Sequence, residues 1–137
     1  MSKRKGLTVR PAVPGDMPAI RTLIRGFPSH LMQKDVPRIP SFFVAECGDR
    51  LVGCCALQIY SKRLAEIRSL AVDPGFQNRG VATKLLQLCE QRARERNIKQ
   101  LLAVSSNATF FEHRGFRTFL REKTALFYDV TKSVPVE

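Results

Sequence analysis

The stretch from Phe42 to Gln100 most restricts the fold, because β-rich runs give way to apolar residues at helical spacing and then to a strand again. Phe42–Cys47, Leu51–Tyr60 and Leu64–Val72 are three consecutive β-rich runs, the first two joined as a hairpin by Gly48-Asp49-Arg50. Asp73-Pro74-Gly75 ends the third. A long helix follows, with Val81, Leu85, Leu88, Cys89, Arg92 and Ala93 on one face and charges opposite. Asn97 can end it, and Gln100–Ser105 reads as a strand again. Three successive strands followed by a strand–helix–strand unit require an α/β domain with a mixed, mostly antiparallel sheet flanked by helices.

The flanks extend this pattern. Leu7–Arg10 reads as a first strand, stopped by Pro11 and the turn Pro14-Gly15. Asp16 is expected to cap a helix by accepting a backbone N–H, with Pro18 tolerated in its first turn and Met17, Ile20, Leu23 and Ile24 on one face. Ser29–Lys34 is predicted as a second short helix, before Pro37 and Pro40 break the chain around Arg38. Ala108–Arg114 reads as a short helix closed by Gly115, Phe116–Leu120 and Thr124–Val130 as terminal strands, and Lys132–Glu137 as a loose tail. The 137 residues fit one domain over 1–137, since single cores usually close at ~100–150 residues.

Charge narrows the partners. Lys plus Arg number 23 against 12 Asp plus Glu, a net +11 that attracts anions and disfavours strongly cationic substrates. The positives are scattered, with short runs at 2–5 and 92–96, as on a solvated surface. Phe42, Phe43, Phe110, Phe111 and Phe116 sit in apolar contexts rather than among the basic residues, so nucleic acid is not an expected partner. No apolar run approaches ~18 residues and no signal-peptide core follows the basic start, so a cytoplasmic protein without membrane contact is expected. Cys47, Cys54, Cys55 and Cys89 form no CxxC pair, and His30 and His113 lie far from them in sequence. Buried free thiols are expected and no metal, with Cys54 and Cys55 pointing to opposite faces of a strand.

The chemistry concentrates in Ile67–Ala82, IRSLAVDPGFQNRGVA. The first N–H groups of a helix lack internal partners and lie at the positive end of its dipole. Gly80 removes a side chain where a ligand would approach and permits backbone angles closed to other residues. Consecutive N–H groups there make an anion cradle suited to a pyrophosphate, to which Arg79 can add charge-assisted bonds. The Gly-Lys-Ser/Thr ending of a Walker loop is absent, and the pattern is not GxGxxG.

Gln77-Asn78-Arg79-Gly80-Val81-Ala82 resembles the Q/R-x-x-G-x-G/A signature of the GNAT acetyltransferases, and Phe111-Glu112-His113-Arg114-Gly115-Phe116 looks like that family's Y-E-K-x-G-F landmark. The resemblance implies a GNAT-like domain using acetyl-CoA without a metal. Its pyrophosphate would lie in the cradle of Gln77, Asn78, Arg79, Gly80, Val81, Ala82 and Thr83, and its pantetheine arm along Leu70, Ala71 and Val72. Phe111 would pack against that arm, and the sheet would splay between the strand ending at Val72 and that starting near Gln100. A closer similarity is to the acetyltransferase domain of N-acetylglutamate synthases. It is carried by Glu66–Val72, Phe110-Phe111, Val9–Ala12 with Asp16–Ile20, Leu31–Arg38 and Lys123–Lys132. Where those synthases commonly carry a Thr-Thr-Arg-like run, this chain has Val104-Ser105-Ser106.

Acetyl transfer needs a neutral amine, and an α-amine with a pKa near ~8 is mostly protonated at neutral pH. The resemblance makes Glu66 the candidate base, directly or through water; the alternative is that Glu66 only pairs with Arg68 across the same strand face or simply faces solvent. The N–H of Leu70 or Val72 is the candidate oxyanion donor. Phe111 stands where many relatives have a tyrosine and has no proton to give, so Tyr128 is the candidate acid, against a purely structural role for it or protonation by water. Arg38 and Arg68 are candidates for a substrate carboxylate, and Asn107 either binds substrate or caps a helix. The expectation is an N-acetyltransferase acting on a small acidic amine, with glutamate foremost, by direct attack in a ternary complex. The alternatives are acetylation of another amine or a silent acyl-CoA sensor. The sequence does not fix the quaternary state; small domains with a long sheet edge often pair, which leaves a homodimer open.

Overall fold

The computed structural model describes residues 6–118 and residue 130. The chain divides into two compact units, Met1–Val104 and Ser105–Glu137. The first holds a five-stranded sheet in the order β1 (Leu7–Pro11), β2 (Phe42–Cys47), β3 (Arg50–Ile59), β4 (Leu64–Val72), β5 (Gln100–Ala103). The first three pairings are antiparallel and β4–β5 is parallel. The mixed, mostly antiparallel sheet is thus as expected. No helix among the described residues is long and apolar enough to cross a membrane.

Helices α1 (Met17–Arg25) and α2 (Val81–Glu95) cover the sheet. Ile20 and Ile24 of α1 cluster with Phe42, Val44, Cys54, Ala56 and Ala71. The intervening Cys55 brings its Sγ to 3.7 Å from that of Cys89 on α2. The adjacent cysteines therefore do face opposite ways, and Val52–Leu57 apart from Gly53's missing side chain forms an unbroken apolar run, as a strand covered on both faces requires. On α2 the buried face is Val81, Leu85, Leu86, Cys89 and Ala93. Leu86 takes the place expected of Leu88, which is only half-buried.

Gly53 is the point of closest approach between α2 and the sheet. A Cβ there would lie 2.9 Å from Val81 Cγ1 and 3.1 Å from Leu85 Cδ1. Val81 is β-branched and stiff, so it yields little. Gly53→Ala is expected to cost about 1–3 kcal/mol through overpacking. The check is a lowered denaturant midpoint at unchanged slope.

Two local expectations fail. Asp16 does not cap α1: its carboxylate accepts from Arg10 (2.8 and 3.1 Å) and from the Val13 N–H (2.8 Å), fastening the turn before the helix. Arg10 also grips Glu46 (3.0 Å), and its hydrogen bonds hold the buried Asp16 carboxyl below the usual carboxylate range. Ser29–Lys34 is not a helix but a series of turns and bends. The physical reason is Gln33, whose side-chain amide donates to the carbonyls of Ile24 (3.0 Å), Phe27 (3.4 Å) and Leu31 (3.0 Å). It satisfies the end of α1 and folds the segment back on it, which a new helix would prevent.

The second unit contains α3 (Ala108–His113). Phe111 packs edge-on against Phe110 (5.1 Å between centroids) and Phe116 (5.2 Å). Phe116–Thr118 carries no strand; the rest of Phe116–Leu120, Thr124–Ala125-Leu126-Phe127-Tyr128-Asp129 and Lys132–Glu137 lie outside the described residues.

Candidate active site

The site is organised by β4. Its pairing with β5 covers only Leu64–Ile67, so beyond Ile67 no strand among the described residues pairs with its outer edge. The splay expected between these strands is present. At the same place β4 takes in one extra residue: Ala56 opposes Arg68 but Cys54 opposes Ala71, and Ser69 adopts φ 54°. This is a β-bulge, which twists and re-aims a strand. The Asp73 N–H donates to Val52 on β3 (2.8 Å). Because N–H groups alternate along a strand, those of Val72 and Leu70 point the other way, to the open edge.

The turn after β4 is built by its own side chains. Asp73 accepts from the Gly75 N–H (2.9 Å) and from Arg50 (2.5 Å). Gln77 donates its amide to the Val72 carbonyl (3.0 Å), so this cradle residue ties the turn to the strand. Asn78 has φ 63° and Gly80 φ 80°, two left-handed residues that bring the chain round into α2. A Cβ on Gly80 would meet nothing within 4 Å: the space before the helix is open. Gly80 has no side chain to cap α2, and the N–H groups of Val81, Ala82 and Thr83, in the first turn, lack intrahelical partners. Arg79 is exposed at its rim, its guanidinium 5.3 Å from the centre of the Phe76 ring. An open helix start with an exposed arginine beside it is the kind of place where anions bind.

Below the bulge lies a cleft of about 340 Å³ lined by Ser29, His30, Leu31, Met32, Glu66, Ile67, Arg68, Ser69 and Val104. The folded-back loop after α1 therefore makes one wall and β4 the other. Glu66 and Arg68 do not pair with each other. Glu66 accepts a 2.5 Å hydrogen bond from the Tyr60 hydroxyl, while Arg68 donates to Gln58 Oε1 (3.2 Å) and approaches Met32 Sδ (3.4 Å). The bond to Glu66 raises the Tyr60 phenol above its ordinary pKa.

Of the expected site residues, Glu66 and Arg68 share this cleft, and Leu70–Val72 run from it to the cradle at 77–83. Arg38 is exposed in the proline-flanked loop and lines no part of the cleft. Asn107 caps α3, accepting from the Phe110 N–H (3.4 Å), which is the structural role weighed for it. Phe111 belongs to the second unit's aromatic trio, and Tyr128 lies outside the described residues. Tyr60 had no place in the expected site. The signal was the hairpin register, which sets Gln58 opposite Glu66 and Tyr60 diagonal to it.

Residues 38–118 match the acetyltransferase (GNAT) domain model. An uncharacterized N-acetyltransferase of Chlorobaculum tepidum is 31% identical over 83% of this chain and 77% of its own. The amino-acid acetyltransferase of Mycobacterium tuberculosis is 31% identical over 79% of this chain and 67% of its own. Among solved structures, the N-acetylglutamate synthase of Neisseria gonorrhoeae, complexed with coenzyme A and N-acetyl-glutamate, superposes with a TM-score of 0.71 at 31% identity. That match covers 82% of this chain but 28% of the synthase, so the chain spans under a third of that protein. With the bulged and splayed strand, the open helix start at Gly80 and these matches together, the chain belongs to the GNAT family of acetyl-CoA-dependent N-acetyltransferases.

Proposed function

We propose that this N-acetyltransferase acylates the primary amine of a small acidic substrate, an amino acid such as glutamate, by direct attack on the thioester. The observation that carries this reading is the cleft beside the β4 bulge, which holds a carboxylate, Glu66, and a guanidinium, Arg68, on one strand. Glu66 takes a proton from the attacking amine. Nitrogen bonds to the carbonyl carbon, the carbon–sulfur bond breaks, and the departing thiolate takes a proton from water. Leu70 and Val72 N–H groups at the open edge supply donors for the developing oxyanion. Arg68 grips the substrate carboxylate, and the cradle at 77–83 holds the diphosphate.

Direct attack is favoured over an acetyl-cysteine intermediate. Burial pushes the Cys54 thiol up to about 12, and the contact with Cys89 together with burial raises Cys55, so neither supplies a thiolate at neutral pH. An acidic substrate agrees with the net charge of +11, and the Mycobacterium and Neisseria relatives are amino-acid acetyltransferases by name.

A panel of amines tests the assignment. Glutamate, other amino acids, spermidine and a lysine peptide are each mixed with acetyl-CoA, and free thiol release is followed. Glutamate or aspartate is expected to drive release at least tenfold faster than the cationic amines, since an amine without a carboxylate leaves the half-buried Arg68 without that charge-assisted bond. Release with spermidine or the peptide alone would overturn the acidic-substrate reading.

A further inference from the structure

Tyr60 ends the β3–β4 hairpin on a heavily bonded turn. Its N–H and that of Ser61 both donate to the Leu64 carbonyl (3.0 and 3.2 Å). Ser61 Oγ accepts from the N–H groups of Arg63 (3.0 Å) and Leu64 (3.3 Å). The carbonyls of Lys62 and Arg63 in turn accept from Lys99 (3.1 Å) and Gln100 (2.8 Å) at the start of β5. The backbone beneath Tyr60 is thus held from two sides, although its ring is 54% exposed. From that mount the hydroxyl donates to Glu66 Oε1 (2.5 Å), while on the same face Gln58, directly opposite Glu66, is held by Arg68.

We infer that Tyr60 is a positioning residue for the transfer: its hydroxyl occupies Oε1 of Glu66, fixes the plane of the carboxylate, and leaves Oε2 for the proton of the acceptor amine. The inference rests on the reading of Glu66 as the base. A glutamate side chain has three rotatable bonds, and one on a half-buried strand position would otherwise sample orientations that miss the nucleophile. The phenol suits the task because it keeps its proton throughout the neutral range, and more firmly here because of the bond it makes. Tyr60 does not line the cleft, which separates it from a substrate-contacting acid.

The test compares Tyr60→Phe, Glu66→Gln and the double variant in steady-state turnover, with coenzyme A affinity and thermal midpoint measured alongside. Tyr60→Phe is expected to lower kcat about tenfold, the scale of one hydrogen bond to a charged group, with KM for the amine within about twofold. In the Glu66→Gln background the same change should have almost no effect, because residues that act through one another are not additive. Three results overturn the inference alone while Glu66→Gln remains slow: an unchanged kcat in Tyr60→Phe, a loss confined to KM, or an equal loss in both backgrounds. An unchanged rate in Glu66→Gln instead removes the base reading and this inference with it. A fall in thermal midpoint matching the lost activity would assign Tyr60 to stability and also overturn it.

Discussion

Replacing Glu66 by glutamine is expected to lower kcat by about 10²–10³-fold while coenzyme A affinity stays within about twofold. A positioned general base contributes roughly 10²–10⁴ to such a proton transfer, and glutamine cannot take the proton. The substitution is nearly isosteric, and its amide oxygen can still accept from Tyr60, so the hairpin should survive. The proposed diphosphate cradle lies beyond Val72 at the other end of β4, which is why affinity for the cofactor should not follow turnover. The measurement is free-thiol release at saturating amine beside calorimetric titration of coenzyme A. A variant that keeps its turnover would show that water alone accepts the proton.

Gly80→Val is expected to reduce coenzyme A affinity at least tenfold. A β-branched residue at φ 80° is a backbone outlier, costing about 1–3 kcal/mol, so the turn relaxes and the first N–H groups of α2 lose their aim. Its side chain would also stand in the open space before the helix. Gly80→Asn separates the two effects, since asparagine tolerates the left-handed region. It should keep a thermal midpoint close to that of the parent protein, yet still bind coenzyme A several-fold more weakly because its side chain occupies the cradle. Full affinity in both variants would mean that the diphosphate lies elsewhere.

Much of this architecture could be read from residue order. The apolar run Phe42–Ala45, the alternation in Leu64–Val72, the Asp73-Pro74-Gly75 stop and the helical spacing of Val81, Leu85, Cys89 and Ala93 are local signals, and the observed elements follow them. Gly80 was legible for the same reason, because a left-handed entry to a helix needs a particular residue at one position. What was not legible depends on contacts between distant segments. Gln33 reaches back nine residues to Ile24 and cancels a helix that composition alone favours. Asp16 has the right type for a helix cap, yet Arg10 offers it a stronger, bidentate partner. Tyr60 and Glu66 meet only because the hairpin register puts them on one face, and a register is a property of two strands together.

The extra residue at Ser69 has a further consequence for how such a site can change. Side chains on a strand alternate, so one inserted position exchanges inside for outside in everything beyond it. The one extra residue on β4 therefore puts Arg68 and Ala71, three positions apart, on the same face of the sheet. Deleting Ser69 while the glycine turn kept its place would roll Glu66 under the sheet, among the apolar side chains, with every functional residue still present in the sequence. The proposed site is in this sense a matter of arithmetic as well as of residue type, and single-residue length variation inside this strand should be far less tolerated than substitution.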